Sequence, residues 1–374
     1  MKIGFDAKRI YHNTSGLGNY GRDLIRILSE FHSENTYVLY NPKAKKVKRL
    51  ISKENITEVL PDTKFWKIFS SIWRQGPIIN QIKKDEIEVF HGLSGEIPNG
   101  IQNTTIKTVV TIHDLIFVRF PELYSFFDRK IHLKKVRFSV ENADKIIAIS
   151  EQTKRDIVKY LKIDETKIDV IYQGCHATFK EVKSTEFKEE VKLKFNLPEK
   201  FILNVGAINK RKNILSLIKS IEKIDTTLIV IGGKSSYFKV VNSYIKDNNL
   251  EKKVRFLENV TMPELSAIYQ VASVFVYPSI FEGFGIPIIE ALYSKTPVIT
   301  STGSCFSEAG GPDSFYVKPG DIKELTDRIN LILGDEKLSN GMIKKGFEFV
   351  QKFNDDVIAE NFISVYKDLI LSKK

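Results

Sequence analysis

Short apolar runs alternate with amphipathic helical stretches along most of this chain, and that alternation leaves few folds open. "KIGFDA" (2–7), "TYVLY" (36–40), "IEVFHG" (87–92), "TVVTIHD" (108–114) and "KIIAIS" (145–150) are strand-length and each closes in a polar or glycine loop. Between the first two, Tyr20, Leu24, Ile27, Leu28 and Phe31 recur at helical spacing. Ser150 is placed to cap a helix over "EQTKRDIVKYL". Strands separated by helices in this way pair as a parallel sheet with crossover helices. The pattern pauses over residues 173–190, which are charged and lack a hydrophobic period, and then restarts. "FILNVG" (201–206), "TTLIVIGG" (226–233), "KVRFLE" (253–258), "SVFVYPS" (273–279), "PVITS" (297–301) and "SFYVKP" (314–319) are the later strands. A last helix starts near Asp355, with Val357, Phe362, Val365 and Leu369 near one face. The expectation is an α/β protein of two similar units, residues 1–173 and 174–354. In such sheets ligands sit beyond the carboxyl ends of the strands, so two facing units make a cleft.

The length of 374 residues accommodates two ordinary domains. No apolar stretch reaches the ~18 residues that would suggest a membrane span. The opening "MKIGFDAKRI" reads as a first strand and not as a signal peptide, so a cytoplasmic protein is expected. The net charge of +11 admits nucleic acid, anionic membrane or phosphorylated small molecules as partners. The lysines are scattered, however, and solvated helix faces account for them equally well. No helix-turn-helix, RRM or zinc signature supports a nucleic-acid partner. Cys175 and Cys305 lie far apart outside any C-x-x-C, and no H-E-x-x-H occurs, so neither a metal site nor a resident cofactor is expected.

Residues 16–21, "GLGNYG", match G-x-G-x-x-G literally. A dinucleotide fingerprint begins directly at the end of its strand and finds an acid at the end of the second strand. Here "KRIYHNTS" intervenes, and the second strand closes in "YVLYNPK" with no carboxylate. A dinucleotide-dependent oxidoreductase is therefore the rival reading, with the glycines but without their context. A glycine-rich turn that opens a helix still binds anions through backbone N–H groups and the helix dipole. The plain alternative is a turn whose Gly18 and Gly21 permit tight helix packing.

Residues 281–292, "FEGFGIPIIEAL", carry more information. Glu282 and Glu290 are eight apart, and Gly283 and Gly285 permit a tight loop with exposed amides. Pro287 suits the first turn of a helix, which places Glu290 about one turn inside it. Two carboxylates thus flank an anion-binding helix start, suited to holding hydroxyl groups on either side of phosphates. The bland alternative is a turn with two surface glutamates.

Taken with that stretch, the chain resembles the retaining GT-B glycosyltransferases of family 4, whose hallmark is E-x7-E in a G-F-G-x-P context. "GLGNYGRDL", "TIHDL", "AISEQTKRDI", "IYQG" and "LNVGAINKRKN" match further family motifs in order, over nearly the whole chain. The resemblance implies two facing Rossmann-like domains around a central cleft. Residues 1–173, with a C-terminal helix at about 355–374 crossing back, would bind the acceptor. Residues 174–354 would bind a nucleotide-diphosphate sugar. It also implies roles. Arg211 and Lys212 neutralise the diphosphate, aided by amides around Gly283, Phe284, Gly285 and Ile286 and by the Gly16–Gly18 loop. Glu282 holds the transferred sugar, Glu290 the ribose, and His113 sits near the reacting carbon. Val260 lines the base pocket. Many relatives carry a second Arg just after the strand, where this chain has Gly206-Ala207. For His113 the plain alternative is a buried histidine satisfied by a backbone group.

GT-A enzymes commonly stabilise the leaving diphosphate with a metal held by D-x-D, and no D-x-D occurs here. The resemblance implies metal-independent transfer with retention by front-face attack. Asp114 is the nearest carboxylate for a covalent route. "TIHDLIFVRFPELY" is similar to mannosyltransferases of surface-polysaccharide pathways, which favours GDP-mannose and a glycan or lipid-linked acceptor. "FWKIFSSIWRQGPIINQIKK" (65–84) has Trp66, Phe69 and Trp73 at helical spacing amid lysines and Arg74. Such a helix either touches anionic lipid at the inner face of the plasma membrane or packs its aromatics inward. "HGLSGEIP" (91–98) is either acceptor-lining or a strand-end turn.

Overall fold

The computed structural model describes residues 1–14, 16–44 and 53–372. The final two positions of the expected C-terminal helix therefore lie outside the described residues. The chain forms two compact units, one of Met1–Gly174 with Phe353–Lys374 and the other of Cys175–Lys352.

The first unit is a seven-stranded parallel sheet in the order β3-β2-β1-β4-β5-β6-β7. Its strands are β1 (Lys2–Asp6), β2 (Thr36–Tyr40), β3 (Ile56–Val59), β4 (Val89–Gly92), β5 (Lys107–Ile112), β6 (Lys145–Ala148) and β7 (Ile168–Val170). The second unit holds six parallel strands in the order β10-β9-β8-β11-β12-β13. These are β8 (Phe201–Val205), β9 (Thr227–Ile231), β10 (Val254–Leu257), β11 (Val274–Tyr277), β12 (Val298–Ser301) and β13 (Phe315–Val317). Each sheet runs outward in both directions from its centre, from β1 and β4 in one unit and from β8 and β11 in the other. The reversal of strand order at those pairs is a switch point, where loops leaving the carboxyl ends diverge and open a crevice. Near-continuous Ile, Val and Phe strands fit burial on both faces.

Several elements differ from the sequence expectation. β3 and β7 were not foreseen. β3 is an edge strand with mixed polarity, and β7 is three residues long, just ahead of the pause at 173–190 that was read as a linker. The stretch read as linker also contains most of a helix, Thr185–Phe195, in which only Val191 is buried. Residues 65–84 do not form one helix. They break into Lys64–Ile68, Ser70–Trp73 and Ile78–Lys84, with Gly76-Pro77 interrupting the last junction. The helix Asp355–Leu371 buries Ile358, Phe362, Ile363 and Tyr366, whereas Val357 is exposed. It packs in the first unit, where Arg26 pairs with Asp355 at 2.7 Å and His91 Nδ1 meets the Tyr366 hydroxyl at 2.7 Å. Ser150 caps its helix as expected, accepting from the Thr153 N–H.

Candidate active site

In the second unit the loops after β8 and β11 meet at the switch point. The loop after β8 carries a short 3₁₀ turn, Lys210–Lys212, capped by Asn209, whose side chain accepts from the Lys212 N–H at 3.1 Å. Several bonds tie it to the loop after β11, among them one from the Arg211 guanidinium to the Phe281 carbonyl. The Ile280 N–H donates to the Arg211 carbonyl at 2.9 Å, and the Asn213 amide donates to the Pro278 carbonyl at 3.1 Å. The cations are thereby fixed against the glutamate loop.

Glu282 sits at the centre of this cluster. Its Oε1 lies 2.7 Å from both Arg211 and Lys212 and accepts from the Ser279 hydroxyl at 2.5 Å. All three charged side chains are largely buried. Burial alone would push the Glu282 carboxyl up, but Lys212 and Arg211 outweigh it and hold it below its usual value. Lys212 also donates to the Tyr277 hydroxyl at the end of β11, and its ammonium lies 4.8 Å from that ring's centre. Burial favours the neutral form of Lys212, and the Glu282 charge opposes that. The cluster is a preformed site for negative charge, occupied by the protein's own carboxylate.

The following chain turns through Gly283 and Phe284 into Gly285, which has φ of 109° and stands as the cap before the helix Ile286–Tyr293. That left-handed backbone requires glycine. Pro287 lies in the first turn, so the amides that open the helix carry the dipole's positive end. One turn on, Glu290 is buried and accepts from the Tyr269 hydroxyl at 3.1 Å. Burial pushes its carboxyl up to about 7. Beneath the loop, the Cys305 thiol donates to the Glu282 and Phe284 carbonyls at 3.3 and 2.9 Å. Ser304 Oγ accepts from the Glu282 N–H. Val260 is half-buried in the loop that follows β10, at the same carboxyl edge of the sheet.

In the first unit, the strand β1 leads into a short helix, Lys8–His12, before the helix Gly16–Phe31 begins. The glycines open the second of these and not the strand end, which removes the geometry of a dinucleotide fingerprint. Gly16 is the first residue of that helix. At Gly18 a Cβ would lie 2.1 Å from the Asn13 carbonyl oxygen, so only glycine permits this approach. Arg22, which sequence reasoning did not single out, donates to the Ile10 and Asn13 carbonyls at 2.6 and 2.9 Å and pins the turn.

His113 follows β5 directly. Its Nε2–H donates to the Leu93 carbonyl at 2.9 Å, and its Nδ1 accepts from the Gln173 amide at 2.9 Å. Tyr20 meets the ring edge-on at 4.7 Å. Burial pushes its pKa down to about 4, so the ring is neutral near pH 7 and its tautomer is set. Asp114 Oδ1 accepts from the Ile116 N–H and closes the turn.

Ser279, Tyr277 and Tyr269 complete these sites with no sequence pattern to mark them, whereas Asn209 and Gln173 lie within the motifs "LNVGAINKRKN" and "IYQG" but were given no role there. Polar residues next to strand ends were the available signal.

Two family models together match most of the chain: glycosyltransferase family 4 over residues 15–179 and glycosyl transferases group 1 over residues 185–349. The chain belongs to the group 1 and family 4 glycosyltransferases, and it is an enzyme of that class. Among curated relatives, the O-antigen chain mannosyltransferase RfbU of Salmonella typhimurium is 32% identical over 67% of this chain and 69% of its own. The fold is GT-B. Sucrose-phosphate synthase of Thermosynechococcus elongatus superposes with a TM-score of 0.80 at 21% identity, covering 100% of both chains. Anabaena HepE, solved with UDP and glucose, gives 0.75 at 16% identity, covering 98% of this chain and 99% of its own. Nothing in these likenesses supports an oxidoreductase.

Proposed function

We propose that this glycosyltransferase moves a hexose from a nucleotide-diphosphate sugar to a glycan or lipid-linked acceptor in cell-surface polysaccharide synthesis. GDP-mannose is the favoured donor, a reading supported by the likeness to the Salmonella mannosyltransferase. The observation that carries the proposal is the buried cluster of Glu282 with Arg211 and Lys212 beside an anion-binding helix start.

The diphosphate of the donor takes the place of the Glu282 carboxylate beside Arg211 and Lys212, with the amides at Gly285 and Ile286 adding donors. Charge that grows on the leaving phosphate then meets cations already held in place by the two loops. Glu282, released from the cations, accepts hydrogen bonds from the sugar hydroxyls. Glu290 accepts from the ribose, and Val260 borders the base. Gly16 and Gly18 present helix amides to phosphate, and neutral His113 sits against the sugar. Transfer proceeds by front-face attack with retention, the leaving phosphate oxygen taking the acceptor proton. The reaction needs no divalent metal. Residues 1–174 with the returning helix hold the acceptor, and 175–352 the donor. The enzyme works at the inner face of the plasma membrane. Among the described residues no helix is long and apolar enough to cross a membrane.

Calorimetry with GDP, UDP and dTDP, and NMR of the product from GDP-mannose in EDTA, test the reading. An α-linked product without metal is the expected result. Activity lost in EDTA and restored by Mn²⁺ would overturn the metal-free part, and no affinity for any nucleoside diphosphate would overturn the whole.

A further inference from the structure

Most of what holds His113 is anchored in the sheet of the first unit. Its Nε2 faces the carbonyl of Leu93, which follows β4 directly. A carbonyl only accepts, so Nε2 carries the proton of the neutral ring. The backbone is held too, because the buried Thr153 hydroxyl donates to the His113 carbonyl at 3.2 Å. Against the ring stands Tyr20, whose hydroxyl lies 3.2 Å from Thr111 Oγ1 in β5. That oxygen lies 2.8 Å from His91 Nε2 in β4, and His91 in turn bonds the Tyr366 hydroxyl. Tyr20, Thr111, His91 and Tyr366 are all buried, so the Tyr20 ring is a fixed wall.

The partner at Nδ1 is of another kind. Gln173 is buried but belongs to neither a helix nor a strand, and it precedes Gly174, the residue at which the chain leaves the first unit. With the ring proton on Nε2, Nδ1 offers a lone pair, and the Gln173 amide donates to it at 2.9 Å. Both neighbours of Gln173 pack against the segment by which the chain re-enters this unit at Phe353. The Tyr172 ring meets Phe353 edge-on at 5.5 Å, and a Cβ on Gly174 would lie 3.1 Å from the Ile358 side chain. The ring of His113 is thus clamped at opposite nitrogens, by the edge of the sheet on one and by the exit segment on the other.

We propose that Gln173 is a positioning residue for His113, whose amide fixes the ring plane at Nδ1 and ties that placement to the segments where the chain leaves and re-enters the first unit. The proposal rests on the reading above in which His113 sits against the transferred sugar. With both nitrogens engaged, the ring carries no proton between substrates and acts through its placement alone. Burial keeps it neutral near pH 7. If Gln173 is lost, Nδ1 becomes an unbonded lone pair and the ring can turn. Turnover then suffers from the misplacement, whereas a nucleoside diphosphate held by the second unit does not depend on this bond. A glutamate at this position only accepts, so it would call for a second ring proton and an imidazolium.

NMR on the full chain labelled with 15N-histidine tests this, with the His113 signals identified by their loss in His113→Asn. In the wild type near pH 7 the proton should sit on Nε2, with Nδ1 hydrogen-bonded. In Gln173→Met the Nδ1 signal should move to that of an unbonded ring nitrogen. In Gln173→Glu both nitrogens should be protonated at the same pH. Each variant should hydrolyse GDP-mannose with kcat lowered ~10- to 100-fold, while calorimetry gives an unchanged affinity for GDP. A wild-type ring protonated on Nδ1 overturns the proposal whether or not the variants fold. So do altered ring signals with unchanged kcat, and so does a loss of GDP affinity equal to the loss of kcat, which would make Gln173 a structural residue only. A wild type that neither binds GDP nor hydrolyses GDP-mannose overturns the enzyme reading and the ring's part in transfer with it, and the NMR still decides the Gln173 bond.

Discussion

Replacing Glu282 with Gln separates a structural counter-ion from a sugar ligand. In the wild type, the carboxylate lies 2.7 Å from both Arg211 and Lys212 in a largely buried cluster. Glutamine keeps the volume and can still accept from Ser279, but it leaves two buried cations without a counter-charge. Breaking a buried pair by removing one partner costs ~3–5 kcal/mol, and the retained amide contact puts the expected loss near the lower figure, ~3 kcal/mol. For a unit of this size that corresponds to roughly 6–12 °C in Tm, at ~2–4 °C per kcal/mol. A diphosphate supplies the missing charge. If it recovers about half of the loss, it binds the variant about tenfold more tightly than the wild type, since ~1.4 kcal/mol is a factor of ten. The assay is thermal unfolding with and without GDP and with and without pyrophosphate, backed by calorimetry. The variant should melt lower, show the larger ligand-induced rise in Tm, and still lose kcat. A variant that melts lower yet binds diphosphate no better than the wild type would refute the idea that the phosphates and Glu282 compete for the same cations.

Lys212→Ala should lower kcat/KM by ~30- to 1000-fold, equivalent to ~2–4 kcal/mol of lost charge stabilisation, and unchanged kinetics would remove Lys212 from the diphosphate site. Burial pushes the Glu290 carboxyl up to about 7, so its ionised, better-accepting form fills as pH rises through 7. GDP affinity should climb from pH 6 to pH 8 in the wild type, and this rise should be missing in Glu290→Gln. The same raised pKa makes the folded protein bind an extra proton between the ordinary glutamate value and about 7, so the unfolding free energy of the wild type minus that of Glu290→Gln should fall with rising pH across that window. Gly18→Ala puts a Cβ against the Asn13 carbonyl, and circular dichroism should show a melting point lowered by several degrees, whereas Gly16→Ala, with open space around it, should melt like the wild type.

Eleven of the thirteen strands, and their parallel pairing, could be read from apolar runs because central strands buried on both faces need nearly unbroken Ile, Val and Phe. β3 escaped notice because an edge strand half-exposed to water carries Thr and Glu like any loop, and β7 because three residues make no pattern. The break within residues 65–84 was signalled by Gly76-Pro77, but aromatic spacing across it imitated one helix. The result is that Trp73 packs inward while Phe69 and Ile72 face solvent. In the second unit, Glu282 and Glu290 were legible from their spacing, and Arg211 and Lys212 from the resemblance carried by "LNVGAINKRKN". That Glu282 would pair with both cations was not, because the pair joins residues 70 apart through the adjacency of β8 and β11. Ser279 and Tyr277 were hidden for the same reason.

The helix Asp355–Leu371 belongs to the first unit but is made after the whole of the second. A ribosome adds residues from the N-terminus at ~5–20 per second, so roughly ten seconds or more separate β7 from the segment that carries Phe362 and Tyr366. Throughout that interval the nascent first sheet waits with His91 lacking its hydroxyl partner and the apolar seat of Phe362 open to water. The second unit, continuous in sequence, has no such wait and can close first. Synthesis order therefore lets the second unit close before the first sheet is sealed by its returning helix.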